Sequence, residues 1–381
     1  MAIKAGQINI HEPIGALKPT LIFPAGMPRS LDYLEKCRRE GQPVIGSSSL
    51  PYDVCKPLYP AWAYLPYITD STFRDALTKT IREHGLGMIY SPNPVVWNYL
   101  QRALKDIDSE VTLVNGSPVE SELGDYRAAL QHANKALNFP LSIASSHPLK
   151  APVSELEIAI LFKHGNVISG MCDDEKIAAL CEIARHSPEG DLVEIGSWWG
   201  KSAFILAKLA QYYAIGNLLC VDPWKSEHLV QHDKGGLVDG GISQYDCEEA
   251  LKVFIMNLLP YSRGDINYLR MPSTAAAATY KSGETVHSAA FGTTHYTGEI
   301  AILHIDGNHS EDAVRADMES WCERVKAGGW IIVDDYLWPY GDGPRHIADE
   351  YLEANHCRLS SAFVMGTALF MQISLEQSDA V

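Results

Sequence analysis

The sequence lacks several features that would assign it to a class at once. It has no run of about 18 uncharged apolar residues, which a membrane helix needs, and no basic start followed by an apolar core. None of its eight cysteines forms a CxxC pair, which argues against zinc or redox motifs. These absences predict a cytoplasmic protein with reduced cysteines and no membrane partner.

Basic residues are also scarce and scattered. The chain carries 31 Lys and Arg against 47 Asp and Glu, a formal net charge of −16, and the basic side chains form no stripe or block. Nucleic acid is therefore a poor candidate partner, as are anionic membrane surfaces. With 381 residues and 46% hydrophobic composition, the chain can bury a full core and is long enough for two domains.

The N-terminal part alternates short apolar runs with amphipathic stretches from about residue 19 to residue 115. This alternation predicts a small α/β domain with a parallel sheet over residues 1–120, and helical stretches predict a connector over 121–164. Four small residues lie at predicted strand ends, namely Gly26, Ser47, Ser48 and Ser49. They are either turn residues or residues that contact a ligand. The order and spacing of these elements resemble, without a shared motif, the small domain that precedes the ATP-grasp fold. A nucleotide-using enzyme is disfavoured because no phosphate loop occurs there.

A strand, a glycine turn and a helix are predicted in DLVEIGSWWGKSAFILAKLA, at positions 191–210. Gly196 and Gly200 let the chain turn sharply and let a ligand approach the backbone. A phosphate-binding loop would need glycine at 195, and a dinucleotide fingerprint would need it at 198 and 201, but other residues stand there. The remaining alternatives are a structural turn and the E-x-G-x-x-x-G turn that binds S-adenosylmethionine in class I methyltransferases, with Glu194 as its acid.

Two later strand ends extend the predicted cofactor site. Asp222 ends the next strand, where an acid can accept both hydroxyl hydrogens of a ribose. Ser273 follows the third strand, at a position that commonly approaches an adenine. The predicted cofactor contacts are Glu194, Gly196, Ser197, Gly200, Ser202, Asp222 and Ser273.

Three aspartates end two further apolar strands. Asp306 follows EIAILHI, whereas Asp334 and Asp335 follow WIIV, and the helix between these strands is predicted to stop at Gly328 and Gly329. Parallel strands joined by right-handed crossovers share one rim, so the acids should converge beside the glycine turn. Crowded carboxylates raise one another's pKa unless a cation lies among them, which predicts Mg²⁺ or a similar divalent ion.

Alternatives stay open for single residues of this group. Either Asp334 or Asp335 could bond a backbone amide instead of a metal, and His309 is either a helix-entry residue or a general base. The aromatic residues that follow either wall an acceptor pocket or pack under the sheet rim. They are Tyr336, Trp338 and Tyr340.

From about residue 165 to residue 373 the chain resembles a known family. The motifs that carry the resemblance are VEIGSWWGKS, CVDPW, HIDGNHSEDAVRAD and AGGWIIVDDY. They are similar to those of the metal-dependent O-methyltransferases of the macrocin and mycinamicin sugar type, grouped with the cephalosporin-hydroxylase-like branch of class I methyltransferases. The resemblance implies a Rossmann-like methyltransferase domain over residues 165–375. It also implies Mg²⁺ bound by Asp306, Asp334 and Asp335, and catalysis by His309, as base, together with Asp306.

The expected activity is methyl transfer from S-adenosylmethionine to a hydroxyl of a sugar or small molecule in a biosynthetic pathway. Metal-independent N- or C-methylation is one alternative, and a non-catalytic S-adenosylmethionine-binding or assembly protein is another. The segment from Lys225 to Gln244 is either a lid or a connector. Enzymes of this type are often dimers or larger, and the sequence leaves the oligomeric state open.

Overall fold

The computed structural model describes residues 17–107, 110–139, 143, 149–231, 233–280 and 284–375. The chain divides into two compact units, residues 1–125 and 126–381, with the boundary inside a long helix. None of the helices in the described ranges combines the length and the hydropathy that a membrane span requires.

The N-terminal unit contains a parallel sheet of five strands in the order β3-β2-β1-β4-β5. Strands and helices alternate, as the sequence pattern predicts. The strands are β1 Thr20–Ile22, β2 Val44–Ser48, β3 Trp62–Tyr64, β4 Met88–Tyr90 and β5 Thr112–Leu113. The helices are α1 Pro28–Glu40, α2 Phe73–His84, α3 Pro94–Asp106 and α4 Pro118–Leu137, which crosses the boundary.

Alternating strand residues pack on opposite faces of this sheet. Leu21 contributes to the core under α2 and α3, whereas Ile22 packs with Leu34 of α1. Local signals fix the helix ends, since the Asn93 side chain accepts hydrogen bonds at the start of α3 and α1 ends at Gly41, with φ 66°. Both faces of the sheet are therefore covered, as in other parallel sheets.

A cavity of about 510 Å³ lies at the carboxyl ends of β1 and β2. Gly26, Ser48 and Ser49 line it, whereas Ser47 is fully buried. The hydroxyls of Ser48 and Ser49 bind backbone groups of the neighbouring loops. Ser48 and Ser49 thus make turn contacts in this structure and also lie on the cavity wall, whereas the buried hydroxyl of Ser47 makes no such contact with the described residues.

The C-terminal unit is built around a larger mixed sheet flanked by helices on both faces. The strands of the C-terminal unit are β6 Asp191–Ile195, β7 Leu218–Val221, β8 Ile266–Leu269, β9 Thr285–Ser288, β10 Gly292–His295, β11 Ile300–Ile305, β12 Val325–Val333, β13 Leu359–Met365 and β14 Ala368–Ile373. Its helices are α5 Glu155–Gly165, α6 Asp174–Arg185, α7 Lys201–Tyr213, α8 Leu237–Ile242, α9 Cys247–Leu258, α10 Ser273–Thr279, α11 Glu311–Trp321 and α12 Gly343–Asn355.

The strand order of this sheet is β13-β14-β12-β11-β6-β7-β8. The five strands from β12 to β8 pair in parallel, and β14 is antiparallel to both of its neighbours. The chain proceeds outward from β6 to β8, then crosses back to β11, so the topological switch point lies between β6 and β11. Ligands of such sheets bind at this crevice, beyond the carboxyl ends of the strands. The prediction of a Rossmann-like domain preceded by a smaller α/β domain is confirmed.

The predicted end of the helix after Asp306 is wrong. Helix α11 ends at Trp321, and Gly328 and Gly329 lie inside β12. The pairing of β11 with β12 is shifted there, and a Cβ on Gly329 would lie 3.0 Å from the carbonyl oxygen of Ala301. The glycines therefore allow an irregular strand to pass close to its neighbour instead of stopping a helix.

Candidate active site

The glycine turn after β6 packs directly on the end of β11. Gly196 and Gly200 adopt positive φ of 82° and 84°, which favours glycine at both positions. A Cβ added to Gly196 would lie 2.0 Å from the carbonyl oxygen of Asp306. The backbone of the predicted cofactor turn is therefore tightly packed against the backbone of Asp306, the first of the predicted acids.

Asp222 holds this turn in place. Its Oδ2 accepts hydrogen bonds from the amides of Ser197, at 3.1 Å, and Trp198, at 3.0 Å, while its Oδ1 accepts one from the amide of Trp224 at 2.7 Å. Burial raises the pKa of Asp222, although the three amides favour its ionised form. In this structure Asp222 organises the turn, whereas its predicted contact with a ribose stays a prediction.

A cavity of about 980 Å³ opens at the switch point. It is lined by ten of the eleven predicted site residues, which are Gly196, Ser197, Gly200, Ser202, Asp222, Ser273, Asp306, His309, Asp334 and Asp335. Glu194 does not line the cavity, because its side chain is buried and points toward His304. The structure thus brings the two halves of the predicted site to one cavity and places Glu194 behind it.

Two carboxylates and an imidazole meet at the ends of β11 and β12. His309 Nε2 lies 3.3 Å from Asp335 Oδ2 and 4.0 Å from Asp306 Oδ1, and one ligand atom of each residue lies within 4.8 Å of the others. Burial and the Asp334 carboxylate raise the pKa of Asp306 to about 7 and also raise that of Asp335. Burial alone would lower the pKa of His309, but the acids beside it raise it.

The segment after β7 contacts this cluster. The side chain of Gln231 accepts a hydrogen bond from the amide of His309 at 2.6 Å. Asn308 Nδ2 donates to the carbonyl oxygens of His228 and Val230. Within the segment from Lys225 to Gln244, the residues from His228 to Gln231 therefore lie against the acid cluster. His232 is outside the described residues, and the lid and the connector both stay open as predictions.

The aromatic residues that line the cavity are not the three that the sequence analysis considered. Tyr336, Trp338 and Tyr340 are not among the lining residues, although the Trp338 ring packs 4.6 Å from that of His309. The lining aromatic residues are Trp198, Trp199 and Tyr245, whose rings contact one another.

A comparison with known protein families identifies the domain that contains this cavity. Residues 193–336 match the family model described as "Methyltransferase domain". The C-terminal unit contains a methyltransferase domain. The prediction of an S-adenosylmethionine-dependent methyltransferase is confirmed.

Solved structures similar to this chain include three methyltransferases. The O-methyltransferase NovP is 15% identical, with a TM-score of 0.37, over 65% of this chain and 99% of its own. CalS11, a TDP-rhamnose 3'-O-methyltransferase of calicheamicin biosynthesis, is 14% identical, with a TM-score of 0.34, over 68% and 96%. MycE of mycinamycin biosynthesis, in complex with Mg, S-adenosylhomocysteine and mycinamycin VI, is 14% identical, with a TM-score of 0.35, over 71% and 66%.

Behind the cavity of the methyltransferase domain runs a buried chain of ionisable groups. Lys176 of α6 is ion-paired with Asp334 Oδ2, His304 Nε2 lies 3.3 Å from the same oxygen, and His304 Nδ1 lies 3.2 Å from Glu194 Oε1. None of the four is more than 4% exposed. Burial alone would lower the pKa of His304, but the two carboxylates raise it to about 10. With His304 protonated, two positive and two negative charges balance.

These buried ionisable groups give Asp334 contacts that the sequence did not predict, while its role as a metal ligand stays a prediction. One carboxylate oxygen binds Lys176, and the other accepts a hydrogen bond from the amide of Asp335 at 2.9 Å. Lys176 strongly lowers the pKa of Asp334, even though burial opposes ionisation. Of the two open alternatives for the acid pair, the contact with a backbone amide is the one that the structure displays for Asp334.

Sequence reasoning missed three residues of the methyltransferase domain. Lys176 occupies the buried face of α6 together with Leu180 and Ile183, and a lysine at a core position is a signal of a buried partner. His304 interrupts the apolar run of β11 in the same way. Asp317 of α11 also lines the cavity, and it too is an ionisable residue on the buried face of its helix, with Val314 and Trp321.

Proposed function

We propose that the methyltransferase domain transfers a methyl group from S-adenosylmethionine to a hydroxyl of a sugar or other small molecule, with the help of a divalent cation. One observation carries this proposal. The glycine turn at Gly196 and Gly200 and the cluster of Asp306, His309 and Asp335 line the same cavity. We infer that a cofactor site and a group able to activate a hydroxyl lie side by side.

The residues present are suited to a hard divalent ion such as Mg²⁺. Two sets of potential ligands share Asp306, one with His304 and Asp334 and one with His309 and Asp335. We favour Asp306 and Asp335 as carboxylate ligands because Asp334 is already neutralised by Lys176. The crowded acids also supply the negative charge that such an ion prefers.

When bound, S-adenosylmethionine supplies a methyl group that its sulfonium already activates, and a divalent cation lowers the pKa of an adjacent hydroxyl. We assign to His309 the role of the base that takes the hydroxyl proton, since its Nε2 faces the acids, its ring packs against Trp338 and its backbone amide is bonded to Gln231. Asp222 holds the turn rigid, so that the chain contributes mainly position and charge.

The cavity lining favours a particular class of acceptor. Trp198, Trp199 and Tyr245 offer aromatic faces, which pack well against sugar rings and other flat or apolar groups. Lys201 and Lys225 are the only lysine or arginine side chains on the described lining, so a polyanionic acceptor would find little compensation for its charge. A neutral, hydroxylated ring is therefore the acceptor that we propose.

The proposal is tested by calorimetric titration of S-adenosylhomocysteine and of Mg²⁺ into the wild type and an Asp306→Asn, Asp335→Asn double variant. We expect the wild type to bind both, and the double variant to lose Mg²⁺ but keep the nucleoside. Asp312→Asn, which removes an exposed acid from the same cavity lining, should keep both.

Each other outcome has a distinct meaning. A wild type that binds no S-adenosylhomocysteine would contradict the cofactor assignment. Mg²⁺ binding that survives in the double variant would contradict the ligand assignment. Methyl transfer that persists in excess chelator would favour the metal-independent N- or C-methylation alternative, and a screen of hydroxylated acceptors without turnover would favour a binding protein.

A further inference from the structure

The N-terminal unit has a cavity of its own that the proposed methyl transfer does not use. The chain of this unit runs outward from β1 through β2 to β3 and then crosses back to β4, on the other side of β1. The topological switch point therefore lies between β1 and β4, and parallel sheets of this kind bind ligands beyond the strand ends at such a point. The cavity of about 510 Å³ lies there, because its lining comes from the segments that follow β1, β2, β3 and β4.

The lining of this cavity is largely apolar, with side chains such as Leu50 and Ile68, and it carries one charge. Asp53 is the only acidic side chain among the described lining residues, and none of them is a lysine, an arginine or a histidine. The rings of Tyr52 and Tyr67, which are 80% and 59% exposed, also line the cavity. An anionic ligand such as a nucleotide would find no compensating cation on this lining, whereas a cation would find a carboxylate and two aromatic rings that attract it.

The Asp53 carboxylate is free to bond a ligand. Its Oδ1 accepts a hydrogen bond from the amide of Cys55 at 2.9 Å, and among the described residues no other donor or basic side chain bonds it. Both carboxylate oxygens lie close to Gly26, since a Cβ there would be 3.3 Å from each of them. A side chain at position 26 would therefore cover the carboxylate, whereas glycine leaves it open to the cavity.

We propose that this cavity binds an organic amine with an aromatic or similarly flat ring, its ammonium on Asp53 and its ring against Tyr52 and Tyr67. An ammonium and a carboxylate form a charge-assisted hydrogen bond, and tyrosine rings attract both a cation and a flat apolar group. The volume suits such a ligand, because cavities that bind small molecules enclose about 300–1,000 Å³. The inference is independent of the proposed methyl transfer, because the residues that carry it all lie within residues 1–125.

The test compares amines with acids that carry the same ring on a chain of similar length. The probes are tyramine and tryptamine, with para-hydroxyphenylpropionate and indolepropionate as their anionic counterparts. Dissociation constants are measured by calorimetry on the full chain for the wild type and for Asp53→Asn, whose amide oxygen can still accept from Cys55. We expect the wild type to prefer each amine over its acid by about 10- to 100-fold, as for a hydrogen bond to a charged group, and Asp53→Asn to reduce this preference to within about 3-fold.

Two controls separate this cavity from other sites on the protein. Gly26→Ala should weaken amine binding by about 5-fold or more, because its methyl group would cover the Asp53 carboxylate. Gly116→Ala, whose Cβ would meet nothing within 4 Å, should leave amine binding unchanged. The Asp306→Asn, Asp335→Asn double variant should also bind the amines as the wild type does, because its changes lie in the C-terminal unit.

Each contrary outcome overturns the inference, provided that thermal unfolding verifies that the variant is folded. A wild type that binds neither amine does so, as does one that binds amines and acids equally well. A folded Asp53→Asn protein that keeps the preference, or a Gly26→Ala protein that keeps the affinity, also overturns it. Amine binding that is lost in the Asp306→Asn, Asp335→Asn double variant would assign the amine to the methyltransferase cavity instead.

Discussion

Replacing Lys176 by methionine should destabilise the C-terminal unit strongly. The substitution keeps the length of the side chain but leaves Asp334, His304 and Glu194 with one uncompensated negative charge in a region no more than 4% exposed. Removing one partner of a buried ion pair costs about 3–5 kcal/mol. For a domain of this size, each kcal/mol shifts the Tm by about 2–4 °C, so we expect a decrease of roughly 6–20 °C.

The assay is thermal and urea unfolding followed by tryptophan fluorescence, since six of the eight tryptophans lie within residues 126–381. Lys208→Met is the matched control, because Lys208 is also buried but its ammonium binds the neutral Gln211 at 2.8 Å. The double variant Lys176→Met, Asp334→Asn restores charge balance and should be more stable than the sum of its single changes by about 0.5–3 kcal/mol. A loss no larger than in the control, or strict additivity in the double variant, would refute the reasoning.

Three further substitutions test other contacts. Gly196→Ala should cost about 2–5 kcal/mol, because its Cβ would lie 2.0 Å from the Asp306 carbonyl oxygen at a positive φ; wild-type unfolding behaviour would contradict this. Asp222→Asn should cost about 1–3 kcal/mol and weaken S-adenosylhomocysteine binding, since an amide nitrogen cannot accept from the turn; unchanged affinity in calorimetry would count against it. Gly46→Ala should cost about 1–3 kcal/mol, because its Cβ would lie 2.6 Å from two aromatic rings; limited proteolysis that finds no new cleavage within residues 1–125 would argue otherwise.

Much of the fold was predictable because its signals are local. The apolar run of β6, the glycines at 196 and 200 and the helix after them specify one strand–turn–helix unit without reference to the rest of the chain. The convergence of Asp306 with Asp335 followed from the shared rim of parallel strands. These two rules led to the glycine turn and the acids, whereas Asp222 and Ser273 came from two further strand ends and the role of His309 from the family resemblance.

The features that the sequence analysis did not predict have a different physical origin. Gly328 and Gly329 look like helix stops in the sequence, and only the pairing of β12 with β11 gives them a strand conformation. Asp334 points toward Lys176, which approaches from a helix that precedes the sheet, and Glu194 points toward His304 of β11. Contacts between residues so distant in the chain leave no periodic pattern that sequence reasoning can read.

The close packing of Gly196 on the backbone of Asp306 has a thermodynamic consequence. Any ligand that fixes the glycine turn also fixes the strand end from which the Asp306 carboxylate projects. If S-adenosylmethionine raises the affinity for the cation by some factor, the cation must raise the affinity for S-adenosylmethionine by the same factor. Titrating each ligand in the presence of the other would measure this coupling, and its size would tell how far a single glycine makes two adjacent sites respond as one.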